Sequence, residues 1–181
     1  MSLTPSTMLP LGTKAPKFDL PTTTGENITL NDFQAKKALV VMFICNHCPY
    51  VIHIKNQLIK IGNDYQNKSV GIVAINSNDP DYDSSDSFEN MKNEGYPFPY
   101  AFDKTQEVAK AYSAACTPDI YVFNQNRELV YRGQSDDSRP GNGLPTTGKD
   151  LRNAIDAVLN ETEVDANQKP STGCNIKWRT K

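Results

Sequence analysis

The chain has little of what most function classes require. Its 181 residues include two histidines, one tryptophan and four cysteines, and 19 Lys+Arg against 21 Asp+Glu leave a net charge of −2. Without an excess or a run of positive charge, neither nucleic acid nor an anionic membrane surface is expected as a partner. No apolar run approaches the roughly 20 residues that a membrane-spanning helix needs, so no membrane association is expected either. Four cysteines are too few to staple a chain of this size, which excludes a disulfide scaffold. Residues 1–16 lack a basic segment followed by an apolar core. No secretory leader is therefore expected, and the chain reads as a cytoplasmic protein whose thiols rest reduced. No repeat or second domain is visible, and the length suits one domain that buries about two thirds of its unfolded surface.

What is present concentrates in Phe43-Ile44-Cys45-Asn46-His47-Cys48-Pro49-Tyr50. The apolar run 39–44 reads as a strand covered on both faces. Pro49 suits the first turn of a helix, where its missing N–H costs nothing. Val51, Ile54, Leu58, Ile61 and Tyr65 then recur at helical spacing, so one helix face is expected on the sheet. Cys45 and Cys48 stand at this strand-to-helix junction. Helix starts offer unpaired N–H groups and a positive dipole end, which stabilise a thiolate, the reactive form of cysteine. A second cysteine three residues away can close a disulfide once the first has reacted. Reversible two-electron redox chemistry is the leading reading.

The rest of the chain supplies a frame for that junction. Residues 1–17 read as a loosely attached arm, and 18–30 as two short strands around Thr22-Thr23-Thr24-Gly25. Residues 70–75 form a second buried strand that runs into a polar loop, with 79–86 expected to be solvated. A short helix at 87–94 and a short strand at 98–102 follow. Asp103 and Gln106 resemble a capping box for a helix reaching Tyr112. Residues 120–123 and 129–131 form an antiparallel hairpin. Residues 133–146 are a Gly/Pro-rich loop in which Asp136, Asp137 and Arg139 are expected to pair with each other. Thr147 and Asp150 are expected to cap a last helix carrying Leu151, Ile155, Val158 and Leu159. The layout is an arm at 1–11, a domain at 12–160, and a tail at 161–181 packed on it through Ile176 and Trp178.

This order, with the cysteine pair at the first strand-to-helix junction, resembles the thioredoxin-like fold. That is an α/β architecture: a central mixed β-sheet flanked by helices, here with an N-terminal β-hairpin extension and a C-terminal tail. Gly12-Thr13-Lys14-Ala15-Pro16-Lys17-Phe18-Asp19-Leu20, then Gly25 and Ile28-Thr29-Leu30, resemble the entry to the alkyl hydroperoxide reductase/thiol-specific antioxidant (redoxin) branch. The closest resemblance is to a peroxiredoxin-like family. It rests on Asn46-His47-Cys48-Pro49-Tyr50, Cys116-Thr117-Pro118-Asp119, Arg132-Gly133-Gln134, Asp136-Asp137-Ser138-Arg139-Pro140-Gly141 and Gly173-Cys174-Asn175-Ile176-Lys177-Trp178.

The resemblance implies a thiol–disulfide oxidoreductase with no cofactor and no metal. Its partners would be a protein or small-molecule disulfide, or a hydroperoxide, with a thioredoxin or a low-molecular-weight thiol as electron donor. Thr117-Pro118 matches the fold's cis-proline position, which implies a substrate groove made by Thr117, Pro118, Cys116, His47 and Pro49. A free Thr117 backbone there could bond an extended peptide as an added strand. Counting from the strand's last phenylalanine as in thioredoxins leads from Phe43 to Cys48, and peroxiredoxins often carry Cys-Pro at the attacking position. Cys48 is therefore expected to attack and Cys45 to resolve. Cys174 is a further redox candidate, and Cys116 could join the cycle as a third thiol.

Other readings stay open. A thiol-dependent peroxidase would normally place Thr where Cys45 stands, and a thiol is the weaker donor. Arg127, Arg132 or Arg139 could supply its guanidinium. Cys45, His47 and Cys48 could ligate copper or zinc, although a closed site needs a fourth ligand. A redox-inactive binding module would have no use for both cysteines. Taken alone, Cys116 and Cys174 read as inert core residues, His47 as an exposed turn residue, and His53 as a surface or packing residue.

Overall fold

The computed structural model describes residues 3–180. Its elements run β1 (Leu3–Pro5), β2 (Asp19–Pro21), β3 (Asn27–Thr29), β4 (Ala38–Phe43), α1 (Pro49–Tyr65), β5 (Val70–Asn76), α2 (Phe88–Met91), β6 (Tyr100–Phe102), α3 (Glu107–Ala111), β7 (Cys116–Thr117), β8 (Asp119–Phe123), β9 (Leu129–Gly133), α4 (Lys149–Leu159) and β10 (Thr172–Asn175). Five strands form the central sheet in the order β6-β5-β4-β8-β9. β4 is parallel to β5 and antiparallel to β8, so the sheet is mixed.

β4 sits in the middle and is buried on both faces, which is why its six residues are all apolar. Val40 and Met42 join the core under α1 and α4. Leu39, Val41 and Phe43 face the other way, into a cluster with Phe18, Tyr112 and Tyr121. This alternation follows from the two-residue period of a strand. On α1, Val51, Ile54, Leu58, Ile61 and Tyr65 are buried, the face that the helical spacing predicts. β2 and β3 pair as the expected small hairpin. No helix among the described residues is long and apolar enough to cross a membrane.

The two chain ends depart from the sequence reading. Residues 3–5, expected within a loose arm, form β1 against β10, with Leu3 opposite Cys174 and Thr4 opposite Gly173. The Ser6 N–H donates to the Ser171 carbonyl and extends the pairing. β10 pairs on its other side with β7, giving a second sheet in the order β1-β10-β7. Three-residue strands rich in Pro, Thr and Gly carry too little pattern to be read locally, and tertiary pairing decides them. Ile176 is buried, whereas Trp178, expected as the second anchor, is 41% exposed.

Neither predicted capping box closes as a box: Asp103 and Thr147 each accept one N–H from their helix, and groups distant in sequence complete both starts. Asp103 accepts from Ser77 Oγ and from the Ala109 N–H inside α3. Gln106 adopts a left-handed φ of 65°. Its amide donates to the carbonyls of Ser77 and Lys177, which ties the tail to the domain. At α4 the cap is Gly148 with φ 64°. The Asp136 carboxylate accepts from the Thr147 and Gly148 N–H groups there, and Asp150 accepts from Gln134 instead.

Candidate active site

α1 begins at Pro49, and Cys48 is the residue that precedes its first turn, with extended backbone at φ −69°, ψ 122°. β4 delivers the chain to this point, Ile44 still bonding to Ile75, and Cys45 follows directly. The Thr117–Pro118 peptide is cis, as its position predicts. It lies against both thiols. Thr117 Oγ1 is 3.4 Å from Cys45 Sγ, and the Thr117 carbonyl is 3.2 Å from Cys48 Sγ, from which it can accept a hydrogen bond when Cys48 is a thiol.

All four cysteines are buried thiols, and Cys48 is 0% exposed. Their acidities diverge. Hydrogen bonding from Cys45 holds the Cys48 pKa down to about 4, against the opposing effect of burial. Contacts with Cys174, the Val51 N–H in the first turn and Thr117 act in the same direction. Cys45 is pushed well above its ordinary value by its bond to Cys48, by burial and by the charge on Asp86. Burial also raises Cys116, with Asp119 adding to the rise and Arg132 opposing it. These opposite shifts favour the thiolate on Cys48, with Cys45 as its donor.

β10 brings Cys174 to the same point. Its Sγ lies 2.8 Å from Cys48 Sγ. Burial and the neighbouring Cys48 push the Cys174 thiol up to about 12, and the Lys177 charge works against them. Cys174 is thus a buried residue in direct contact with Cys48. Its strand also fills the β7 edge, with Cys174 opposite Thr117 and Asn175 opposite Cys116. The expectation of a Thr117 backbone left free for an incoming peptide is corrected accordingly. Cys116 points elsewhere, with its Sγ 3.5 Å from the Pro118 carbonyl and 4.0 Å from that of Ser171.

The turn between the two cysteines is held from below. His47, expected to be exposed, has a side chain only 10% exposed, and its Nδ1 lies 2.6 Å from Asp86 Oδ2. That contact places the proton on Nδ1 and leaves Nε2 buried without a partner among the described residues. Asp86 also accepts from the Asn46 N–H and from Asn78. It is fully buried, so the segment read as a solvated loop folds inward at its end. Cys45, His47 and Asp86 bring three potential metal-ligand atoms within 4.8 Å of one another. Asp86 already serves three donors there. His53 Nε2 is buried without a partner among the described residues. Pro49 is exposed at the helix start.

The three arginines do other work. Arg132 is buried with Asp119, Nη2 to Oδ2 at 2.9 Å, and Asp119 also accepts from the Ala115 N–H. The pair therefore braces the segment on both sides of Pro118. Arg127 bonds to the carbonyls of Phe33, Lys36 and Asn124. Arg139 bonds to the Asp136 and Ser138 carbonyls and to Gln134, while Asp137 pairs with Lys169. The expected mutual pairing of Asp136, Asp137 and Arg139 thus reduces to one backbone contact. Asp86 and Asp119 are the site residues that sequence reasoning missed. Asp119 could have been suspected as a charge opening an apolar strand; Asp86 gave no signal within its acidic loop.

Residues 11–132 match the AhpC/TSA family. The chain belongs to that family. The thiol-disulfide oxidoreductase ResA of Halalkalibacterium halodurans is 27% identical over 119 residues, 66% of this chain and 65% of that protein. The ResA of Geobacillus kaustophilus is 26% identical, over 70% of each chain. An uncharacterized conserved protein from Geobacillus kaustophilus has a crystal structure that superposes with a TM-score of 0.97 at 52% identity, covering 100% of this chain and 98% of that one. A hypothetical protein from Sinorhizobium meliloti gives 0.97 at 48% identity, covering 98% and 100%. A putative thiol:disulfide interchange protein DsbE from Chlorobium tepidum, 22% identical with a TM-score of 0.68 over 84% of this chain and 99% of that one, shares the thioredoxin-like fold.

Proposed function

We propose that the chain is a thiol–disulfide oxidoreductase in which Cys48 attacks a disulfide and forms a transient mixed disulfide. The observation that carries this is the position of the Cys48 sulfur. It stands at the start of α1, stabilised as a thiolate, beside the cis Thr117–Pro118 peptide and next to a second cysteine. The attack transfers one substrate sulfur to Cys48 and expels the other as a thiolate. A neighbouring thiol, once deprotonated, then displaces the bound sulfur and leaves an intramolecular disulfide. The chain thereby gives two electrons to the substrate. A thioredoxin-like dithiol or a low-molecular-weight thiol restores it, which fits a reducing, cytoplasmic setting. Relatives named thiol-disulfide oxidoreductase support the same class.

Peroxide reduction is the second reading. Thr117 returns a hydroxyl to the neighbourhood where Cys45 replaces the usual Thr. The three candidate guanidiniums, however, are each engaged by other groups, which favours the disulfide as substrate. The two readings separate in one assay with dithiothreitol as donor. Insulin disulfide reduction is expected to proceed faster than hydrogen peroxide consumption at matched protein concentration. Peroxide consumed faster than insulin is reduced would exchange their order.

A further inference from the structure

The three thiols at the centre are not equivalent in what carries them. Cys45 and Cys48 belong to one turn, but Cys174 arrives on a separate strand from the far end of the chain. β10 runs antiparallel to β7 and sets Cys174 opposite Thr117, the residue before the cis proline. That is the edge on which an extended substrate peptide would add as a strand, with its own cysteine over the attacking sulfur. The seat is close. A Cβ placed on Gly173 would fall 2.0 Å from the Thr117 carbonyl oxygen, so only glycine permits the approach. The two sulfurs stand 2.8 Å apart, against about 2.05 Å in a formed disulfide.

We infer that Cys174 is a catalytic thiol, held by β10 in the place of a substrate cysteine, and that it resolves the mixed disulfide on Cys48. The inference rests on Cys48 being the attacking thiol and adds the partner that completes the cycle. In the resolving step the Cys174 proton passes to solvent. The Cys174 thiolate bonds to the Cys48 sulfur, and the Cys48–substrate S–S bond breaks. The substrate leaves as a thiolate that takes up a proton. Two protein thiols have become the Cys48–Cys174 disulfide, and one substrate disulfide has become two thiols. The thiol donor reduces the new disulfide by the same exchange in reverse. Because Cys48 is fully buried with Cys174 against it, β10 must lift to admit a substrate and return to resolve it.

The test uses the full chain, reduced, exposed to glutathione disulfide and quenched in acid, with disulfides located by peptide mapping. Cys45→Ser retains only Cys174 beside Cys48. It is expected to form the Cys48–Cys174 disulfide and to show no lasting glutathione adduct. Cys45→Ser/Cys174→Ser is expected to hold glutathione on Cys48, with resolution slower by on the order of 100-fold or more, because no thiol remains in place to act intramolecularly. Gly173→Ala keeps every thiol and displaces β10. In the Cys45→Ser background it is expected to lengthen the life of the adduct. Capture in the double variant with an equally lasting adduct in Cys45→Ser would overturn the role of Cys174 alone. Failure of the double variant to capture glutathione on Cys48 would instead overturn the attack by Cys48.

Discussion

Replacing Cys48 with serine is expected to abolish insulin disulfide reduction, a loss on the order of 1000-fold or more. Serine keeps the shape of the buried site but offers no thiolate, and no other sulfur there is positioned to substitute. With Cys48 gone, burial and the Asp86 charge still push the Cys45 thiol up, and burial still pushes up Cys174. Cys45→Ser is expected to behave differently. It leaves the attacking sulfur in place and puts a hydroxyl donor where the Cys45 thiol stood, so the first bond to substrate still forms and turnover falls far less. The two variants are compared by initial rates of insulin reduction and by mass of the trapped adduct. Equal losses, or a larger loss in Cys45→Ser, would reverse the roles.

Replacing Arg132 with alanine is expected to give the largest loss of stability. Arg132 and Asp119 are both fully buried, and the guanidinium also lies 4.6 Å from the Tyr121 ring centre. Removing one partner of a buried pair strands the other charge, which costs about 3–5 kcal/mol. For a chain of this size that lowers Tm by roughly 6–20 °C, at about 2–4 °C per kcal/mol. Asp119→Leu combined with Arg132→Met removes both charges and is expected to recover most of the loss. Thermal unfolding of the reduced proteins measures both effects. A shift under about 2 °C for Arg132→Ala would show that the pair does not brace the cis turn.

The central architecture was legible because its signals are local and strong. β4 reads as an unbroken apolar run, α1 shows one apolar face, and Pro49 marks the helix start. Cys48 beside Pro49 and Thr117-Pro118 before an apolar strand then located both sides of the centre. What escaped the sequence depends on partners far along the chain. β1 and β10 are strands only because they pair with each other and β10 pairs in turn with β7. Asp86 and Asp136 sit in polar loops like many solvated acids, yet one holds the turn at His47 and the other caps α4. Gln106 reads as a cap and serves as a latch for the tail. Trp178 looked like an anchor by type alone, whereas Ile176 occupies the core and the indole remains outside.

The pH dependence of alkylation, resolved cysteine by cysteine, tests the central claim most directly. Reduced protein is treated with iodoacetamide across the acid and neutral range, and each cysteine is quantified by peptide mass. Burial slows every site, so the shape of each profile carries the answer rather than the absolute rate. Cys48 is expected to be half-ionised near pH 4 and to react at a constant rate through neutrality. Cys45 and Cys174 are expected to react only as the pH rises far above that range. A Cys48 midpoint near the ordinary cysteine value of about 8.5, or a lower midpoint at Cys45, would contradict the account.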